Sequence, residues 1–319
     1  MGGDGGDYKA TMGAREWALL VLLSLLWGGS FFFNGVAVRE LPTFTVVVCR
    51  VAIAAAFLHL AMRAMGVPFP LHRRACIAFL GMGFLNNVVP FTLIVWGQSH
   101  IASAVASILN ATTPLFTALV AHWSAQQERL TANRVVGMAI ALAGVAAMLG
   151  EDLLEDWGAD VWAQFAILGA SVSYAFAAVF GRRFRSLGVA PMASATGQVT
   201  ASSLVMIPLM LAFDRPWELP LPGAATVAAL LGLALLSTAL AYLIYFRILS
   251  SSGATNLLLV TFLIPPSATV LGIFVLDEQL FARHFAGMAL IGAGLAAFDG
   301  RIWRRLRGGQ SGGASPADP

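Results

Sequence analysis

The strongest constraint on this chain is a succession of long apolar stretches, each about as long as a bilayer is thick and each closed by a short polar turn. A membrane-spanning helix needs about 20 mostly apolar residues. Ten such stretches can be placed, at 16–38, 43–62, 74–97, 101–123, 132–149, 160–181, 190–212, 223–247, 253–276 and 283–303. The composition removes the soluble alternative. The chain is 58% hydrophobic and 11% charged, with mean hydropathy +0.79, where a soluble chain carries about 25% charged residues. So few charges cannot solvate the outside of one globule, and the same numbers exclude a disordered chain and a disulfide-rich secreted one. The expectation is an all-α polytopic membrane protein. The run from Trp17 lacks a strong basic segment before it and a cleavage site after it, and so reads as a first spanning helix rather than a signal peptide. Cys49 and Cys76 lie in apolar surroundings without a CxxC partner, which predicts buried thiols rather than a disulfide or metal site.

Basic residues test the placement. Lys9, Arg15, Arg63, Arg73, Arg74, Arg129, Arg134, Arg182, Arg183, Arg185, Arg247, Arg301, Arg304, Arg305 and Arg307 fall on the side of the N-terminus, fifteen in all. Arg39, Arg215 and Arg283 fall on the other side, and Arg50 inside a span. That imbalance predicts both termini on the cytoplasmic side. The external segment 151–159 fits, being rich in Asp and Glu and free of basic residues. The pI of 9.2 is therefore an orientation signal, and nucleic acid is not an expected partner.

The chain repeats itself at an offset of 150. Glu128–Ala147 and Glu278–Ala297 agree at ten of twenty positions, including Glu128/Glu278, Gly137/Gly287 and Gly144/Gly294. Each half holds five spans, an odd number, so the second half is expected to enter the membrane inverted. Two inverted repeats are an architecture of secondary transporters that expose a midplane site alternately to either side. The division read from this is a tail at 1–13, a first repeat at 14–150, the acidic loop at 151–159, a second repeat at 160–306 and a tail at 307–319.

Several motifs now come together. The first span carries Leu26-Trp27-Gly28-Gly29-Ser30, the second Arg50, and each half has a proline-containing helix followed by a glutamate and a helix with two glycines seven apart. The segment 235–294 adds Ser237 to Phe246, Pro265-Pro266 and Asp277-Glu278-Gln279-Leu280. Over about residues 16–303 the chain resembles the EamA-like ten-helix exporters of the drug/metabolite transporter superfamily. It departs from the family at Ser171, where a tryptophan is frequent, and in having two adjacent prolines in the ninth span. The resemblance implies export of small metabolites across the bacterial inner membrane, amino acids among them. It is compatible with the YddG type of aromatic amino-acid exporter, and with Thr or Met as substrates.

Polar groups in mid-span belong in the protein interior or a wet cavity. Candidate substrate-binding residues are Trp27, Ser30 and Asn34 in the first span, and Asn86 and Trp96 in the third. Ser107 and Asn110 follow in the fourth, Tyr174 in the sixth, Thr238, Tyr242 and Tyr245 in the eighth, and Thr261 in the ninth. Interhelical hydrogen bonding is the alternative role for each. Pro90, Pro114 and Pro265, with Pro266, are candidate hinges. A helical proline leaves the carbonyl four residues back unbonded, here those of Asn86, Asn110 and Thr261, which a substrate ammonium or a neighbouring helix can take. Arg50 reads as a structural in-membrane charge, with attraction of a substrate carboxylate as the alternative. Trp17, Trp123, Trp157, Trp162 and Trp303 suit the membrane interface.

No HExxH, Walker motif or in-span triad is present, which argues against an enzyme or an ATP-driven pump. Neither cofactor nor metal is expected. No Asp or Glu occupies a span centre, which favours a uniporter over a proton-coupled antiporter. One buried arginine is too few for sugar phosphates, leaving small zwitterions or hydrophobic metabolites or drugs. The expected partners are a small-molecule substrate and the lipid bilayer. The glycine faces at 137–144 and 287–294 are expected to pack within a monomer, a dimer seam being the alternative.

Overall fold

The computed structural model describes residues 12–124, 131–149, 158–257 and 259–299, and no strand occurs among them. Eight helices are long and apolar enough to span a membrane: α1 (Ala14–Ala37), α2 (Thr43–Ala64), α3 (Arg73–Gln98), α4 (Ser103–Trp123), α5 (Ala132–Leu149), α6 (Ala159–Ser186), α7 (Pro191–Asp214) and α8 (Ala224–Leu249). Two shorter apolar helices follow, α9 (Val260–Leu276) and α10 (Ala282–Asp299). The surface is inverted relative to a soluble protein. Leu60, Leu204 and Phe274 are 67, 69 and 78% exposed, while Asn87, Thr196 and Ser202 are fully buried. Lipid is the solvent in which that arrangement is stable.

Helix packing follows the internal repeat. Carrying α1–α5 onto α6–α10 turns the α1–α9 contact into α6–α4, α1–α8 into α6–α3 and α2–α8 into α7–α3, all of which occur. The contacts α2–α7 and α5–α10 map onto themselves and also occur. The α5–α10 pair is the tightest and runs antiparallel. Gly137 lies against Gly294, and Gly144 against Gly287, so the glycine faces pack within the chain. Each of these glycines is needed for the approach, because an added Cβ would lie within 3 Å of the partner's backbone.

Helix ends that the alternation places opposite the termini meet one another. Asp214 accepts from the Thr45 amide at 2.6 Å and its hydroxyl at 2.9 Å. Glu40 accepts from the Gly223 amide at 2.7 Å, and Glu278 caps α4 through the Ser103 and Ala104 amides at 2.8 and 3.2 Å. At the other end Phe79 stacks between Phe69 and Phe184.

Some expectations are corrected. α4 is broken by a turn at Ala111–Thr112, where Pro114 withholds its N–H and the Thr112 and Thr113 hydroxyls bond to the carbonyls of Leu109 and Asn110. The helix of α8 continues to Leu257, past the gap at 248–252 expected between the eighth and ninth spans, and α9 begins at Val260 rather than at 253. Ser251 bonds back to the Ile248 carbonyl and so leaves that helix intact. Cys49 is half-buried, and Cys76, in the first turn of α3, is exposed rather than buried. Trp17, Trp123 and Trp162 are exposed near helix ends as expected. Trp157, Trp303, Glu128, most of the acidic loop and nearly all of both tails lie outside the described residues.

Candidate polar site between the helix repeats

Two π-helical segments interrupt the α-helices at positions related by the repeat: Phe84–Val88 in α3 and Gly232–Leu240 in α8. A π turn adds a residue per turn and turns side chains away from the ordinary helical stripe, and such turns often occur at functional sites. Here they bring Asn86 and Asn87 opposite α8, and Thr238 opposite α2.

The hydroxyl of Tyr242 joins the two asparagines, accepting from Asn86 Nδ2 at 3.1 Å and donating to Asn87 Oδ1 at 3.1 Å. Asn86 Nδ2 also donates to Gln198 Oε1 at 2.9 Å, and Asn87 Nδ2 donates to Ser202 Oγ at 3.0 Å. Ser202 in turn donates to the Gln198 carbonyl at 2.6 Å. Three spans, α3, α7 and α8, are thus tied by one polar network. Beside it Arg50, 6% exposed, donates from Nε to Thr238 Oγ1 at 3.0 Å. Thr238 in turn donates a hydrogen bond from Oγ1 to the Leu233 carbonyl at 2.8 Å. The guanidinium lies 3.6 Å from the centre of the Phe91 ring. Among the described residues, the ionisable side chains beside Arg50 are Tyr174 and Tyr242, and neither is a carboxylate.

Aromatic side chains border this network. Trp27 and Tyr245 have ring centroids 5.7 Å apart, and Tyr174 touches both principal cores. Trp27, Tyr174, Tyr242 and Tyr245 are all half-buried and pack against the buried clusters.

The structure therefore gathers Arg50, Asn86, Tyr174, Thr238 and Tyr242, with Trp27 and Tyr245 paired alongside. Other candidates lie elsewhere. Asn34 donates to Gln98 Oε1 at 3.0 Å in an end network with Ser103 and Glu278. Trp96 packs at a tilt against His100, ring centroids 4.8 Å apart, and lines a separate crevice of about 380 Å³ with Phe44, Thr92 and Asp214. Ser30 and Ser107 bond to carbonyls of their own helices, at Trp27 and Ala104. Thr261 is half-buried and makes no side-chain hydrogen bond among the described residues.

The proline reading also changes. The Asn110 carbonyl opposite Pro114 is taken by Thr113 Oγ1 at 2.7 Å, with Ser171 Oγ at 3.4 Å, so neighbouring hydroxyls occupy it. Near Pro90, the carbonyl accepting from another helix is that of Leu85, from Ser173 Oγ at 2.6 Å. The π turn, which shifts the bonding register, explains why it is not that of Asn86. Pro265 is buried and Pro266 exposed, both inside the continuous α9.

Sequence reasoning passed over Gln198, Ser202 and Asn87. The signal was present for two of them: Ser194, Gln198 and Ser202 recur every four residues along one face of α7.

Against known proteins, the model of the EamA-like transporter family matches twice, over residues 15–150 and 161–298. An uncharacterized transporter of Bacillus subtilis, YoaV, is 23% identical over 86% of this chain and 94% of its own length. An uncharacterized inner membrane transporter of Escherichia coli, YedA, is 28% identical over 85% of this chain and 86% of its own. A protein of Streptantibioticus cattleyicolor named as a probable terminal-alkyne amino-acid exporter is 26% identical over 91% and 95%. A solved crystal structure superposes with a TM-score of 0.66 at 18% identity, over 92% of this chain and 99% of that one, a likeness of fold alone.

Proposed function

From the premise that this chain belongs to the EamA-like transporter family, and is thus a multi-span membrane transporter and not an enzyme, we propose that it exports small metabolites, amino acids of the aromatic, Thr or Met type foremost, by alternating access. The observation that carries the reading is the exchange symmetry of the helix contacts. The Gly137–Gly294 pair maps onto Gly287–Gly144, its antiparallel counterpart, as expected for two repeats related by an axis in the membrane plane. The polar network of α3, α7 and α8 then lies where the halves meet, bordered by α2 and α6.

An amino-acid substrate is supported by the aromatic border, by the mixed donors and acceptors of the network, and by the name of the Streptantibioticus relative. Uniport is supported by the lack of a carboxylate at any span centre. The charge bias supports cytoplasmic termini, and the Escherichia coli relative supports a bacterial inner membrane. Pro90, Pro114 and Pro265 serve as hinges in this reading, and the chain works as a monomer because its glycine seam is filled internally.

The test is counterflow in proteoliposomes loaded with labelled Phe, Thr or Met. Saturable exchange that survives collapse of the pH gradient is the expected result. Exchange that stops with the gradient would replace uniport by proton coupling, and no exchange with any amino acid would move the substrate to another metabolite class.

A further inference from the structure

Arg50 carries five N–H donors, and one of them, on Nε, is used by Thr238. Its terminal nitrogens make no hydrogen bond or ion pair with any described residue. Polar side-chain atoms that are both unbonded and sealed from solvent do occur here, at Asn34 Oδ1, Gln164 Oε1, Ser237 Oγ and Thr269 Oγ1, but the Arg50 nitrogens are not among them. They therefore keep some solvent-accessible surface although the residue is only 6% exposed. A guanidinium in mid-membrane without a counter-charge is costly, and such residues pair with an anion or mark a substrate path.

The geometry also selects which edge is free. Thr238 engages the Nε side and Phe91 covers one face at 3.6 Å, so the side chain is fixed and its terminal pair of nitrogens is left for a ligand. Two parallel N–H groups match the two oxygens of one carboxylate. Arg50 is the one basic residue at a span centre, so charge balance calls for a monoanion rather than a phosphate ester.

We propose that Arg50 is a substrate-binding residue whose terminal nitrogens hold the carboxylate of the transported molecule, with the Tyr174 and Tyr242 side of the site receiving the remainder. This rests on the reading of the chain as a small-metabolite carrier. It takes the alternative weighed for Arg50 from the sequence, attraction of a substrate carboxylate, over the structural role placed first there.

The test uses the purified full-length protein in detergent and reads the ligand-induced rise in melting temperature. The probes are phenylalanine, 3-phenylpropionate (no ammonium), 2-phenylethylamine (no carboxylate), butyrate, and sodium chloride at matched ionic strength. The two phenyl carboxylates are expected to raise the melting temperature, and phenylethylamine and chloride are not. Arg50→Gln is expected to weaken the response about ten- to hundredfold in apparent affinity, with Arg50→Lys between it and the native protein. The analogue series on the native protein decides the matter even if Arg50→Gln fails to fold. Protection by phenylpropionate or butyrate without protection by phenylalanine would keep the carboxylate site and remove the amino-acid reading. Equal protection by phenylalanine and phenylethylamine, or an unaltered response in Arg50→Gln, would overturn the site and leave the carrier reading standing. Chloride protecting as well as the carboxylates would make Arg50 the seat of a structural ion, and no protection by any carboxylate would likewise overturn the proposal.

Discussion

Gly144 and Gly287 face each other across the antiparallel α5–α10 contact so closely that a Cβ on either would lie 2.9 Å from the other's carbonyl oxygen. The contact recurs between Gly294 and Gly137, the positions equivalent to Gly144 and Gly287 in the duplicated sequence. It joins the halves through backbone rather than through adaptable side chains, and backbone cannot yield.

Gly144→Leu or Gly287→Leu should therefore destabilise the protein by about 1–3 kcal/mol through overpacking. Gly292→Ala, with nothing within 4 Å of the added Cβ, should be neutral or slightly stabilising. Thermal unfolding in detergent, followed by size-exclusion fluorescence, compares them.

Glu278 closes α4 from another segment of the chain by accepting from both the Ser103 and Ala104 amides. Glu278→Ala should cost about 1–2 kcal/mol, as loss of a helix cap does, and Glu278→Gln should cost less because one oxygen acceptor remains. The ranking of melting temperatures native, Gln, Ala is the expected readout.

Tyr242→Phe keeps the ring and removes the hydroxyl shared by Asn86 and Asn87. Interhelical hydrogen bonds in membranes are worth about 0.6–1.7 kcal/mol, so substrate half-saturation in counterflow should rise roughly three- to fifteenfold. Asn34→Ala, in the network at the helix ends, should alter stability but not half-saturation.

Pro114→Ala supplies an N–H to the Asn110 carbonyl and should close the turn at Ala111–Thr112 into continuous helix. If that break is a hinge, counterflow should fall several-fold while the melting temperature holds or rises. Unchanged flux at unchanged expression would remove the hinge role.

Orientation is testable with single cysteines in a background lacking Cys49 and Cys76. Leu221, 97% exposed before α8, should react as cysteine with an impermeant maleimide on intact cells. Leu71, 76% exposed before α3, should react after permeabilisation and not before.

The apolar helices and the duplication were legible in the sequence because each is a local or repeating property. Hydrophobic thickness is read within one window of about 20 residues, and the Glu128–Ala147 motif declares its copy without any contact being known. Arg50, Tyr242 and Thr238 were visible for the same reason, as polar groups placed where lipid would not tolerate them. The sequence left undecided which polar residues share one network, since that depends on how each helix is rotated against its neighbours. Asn34 and Asn86 look alike as in-span asparagines, yet one binds Gln98 in the network with Ser103 and Glu278, and the other meets Tyr242 and Gln198. The π turns in α3 and α8 shift that rotation. Arg50 shows the division most plainly. Its charge inside a span is written in the sequence, whereas the freedom of its terminal nitrogens follows from which groups the fold brings to it, a threonine hydroxyl and an aromatic face, and no carboxylate among the described residues.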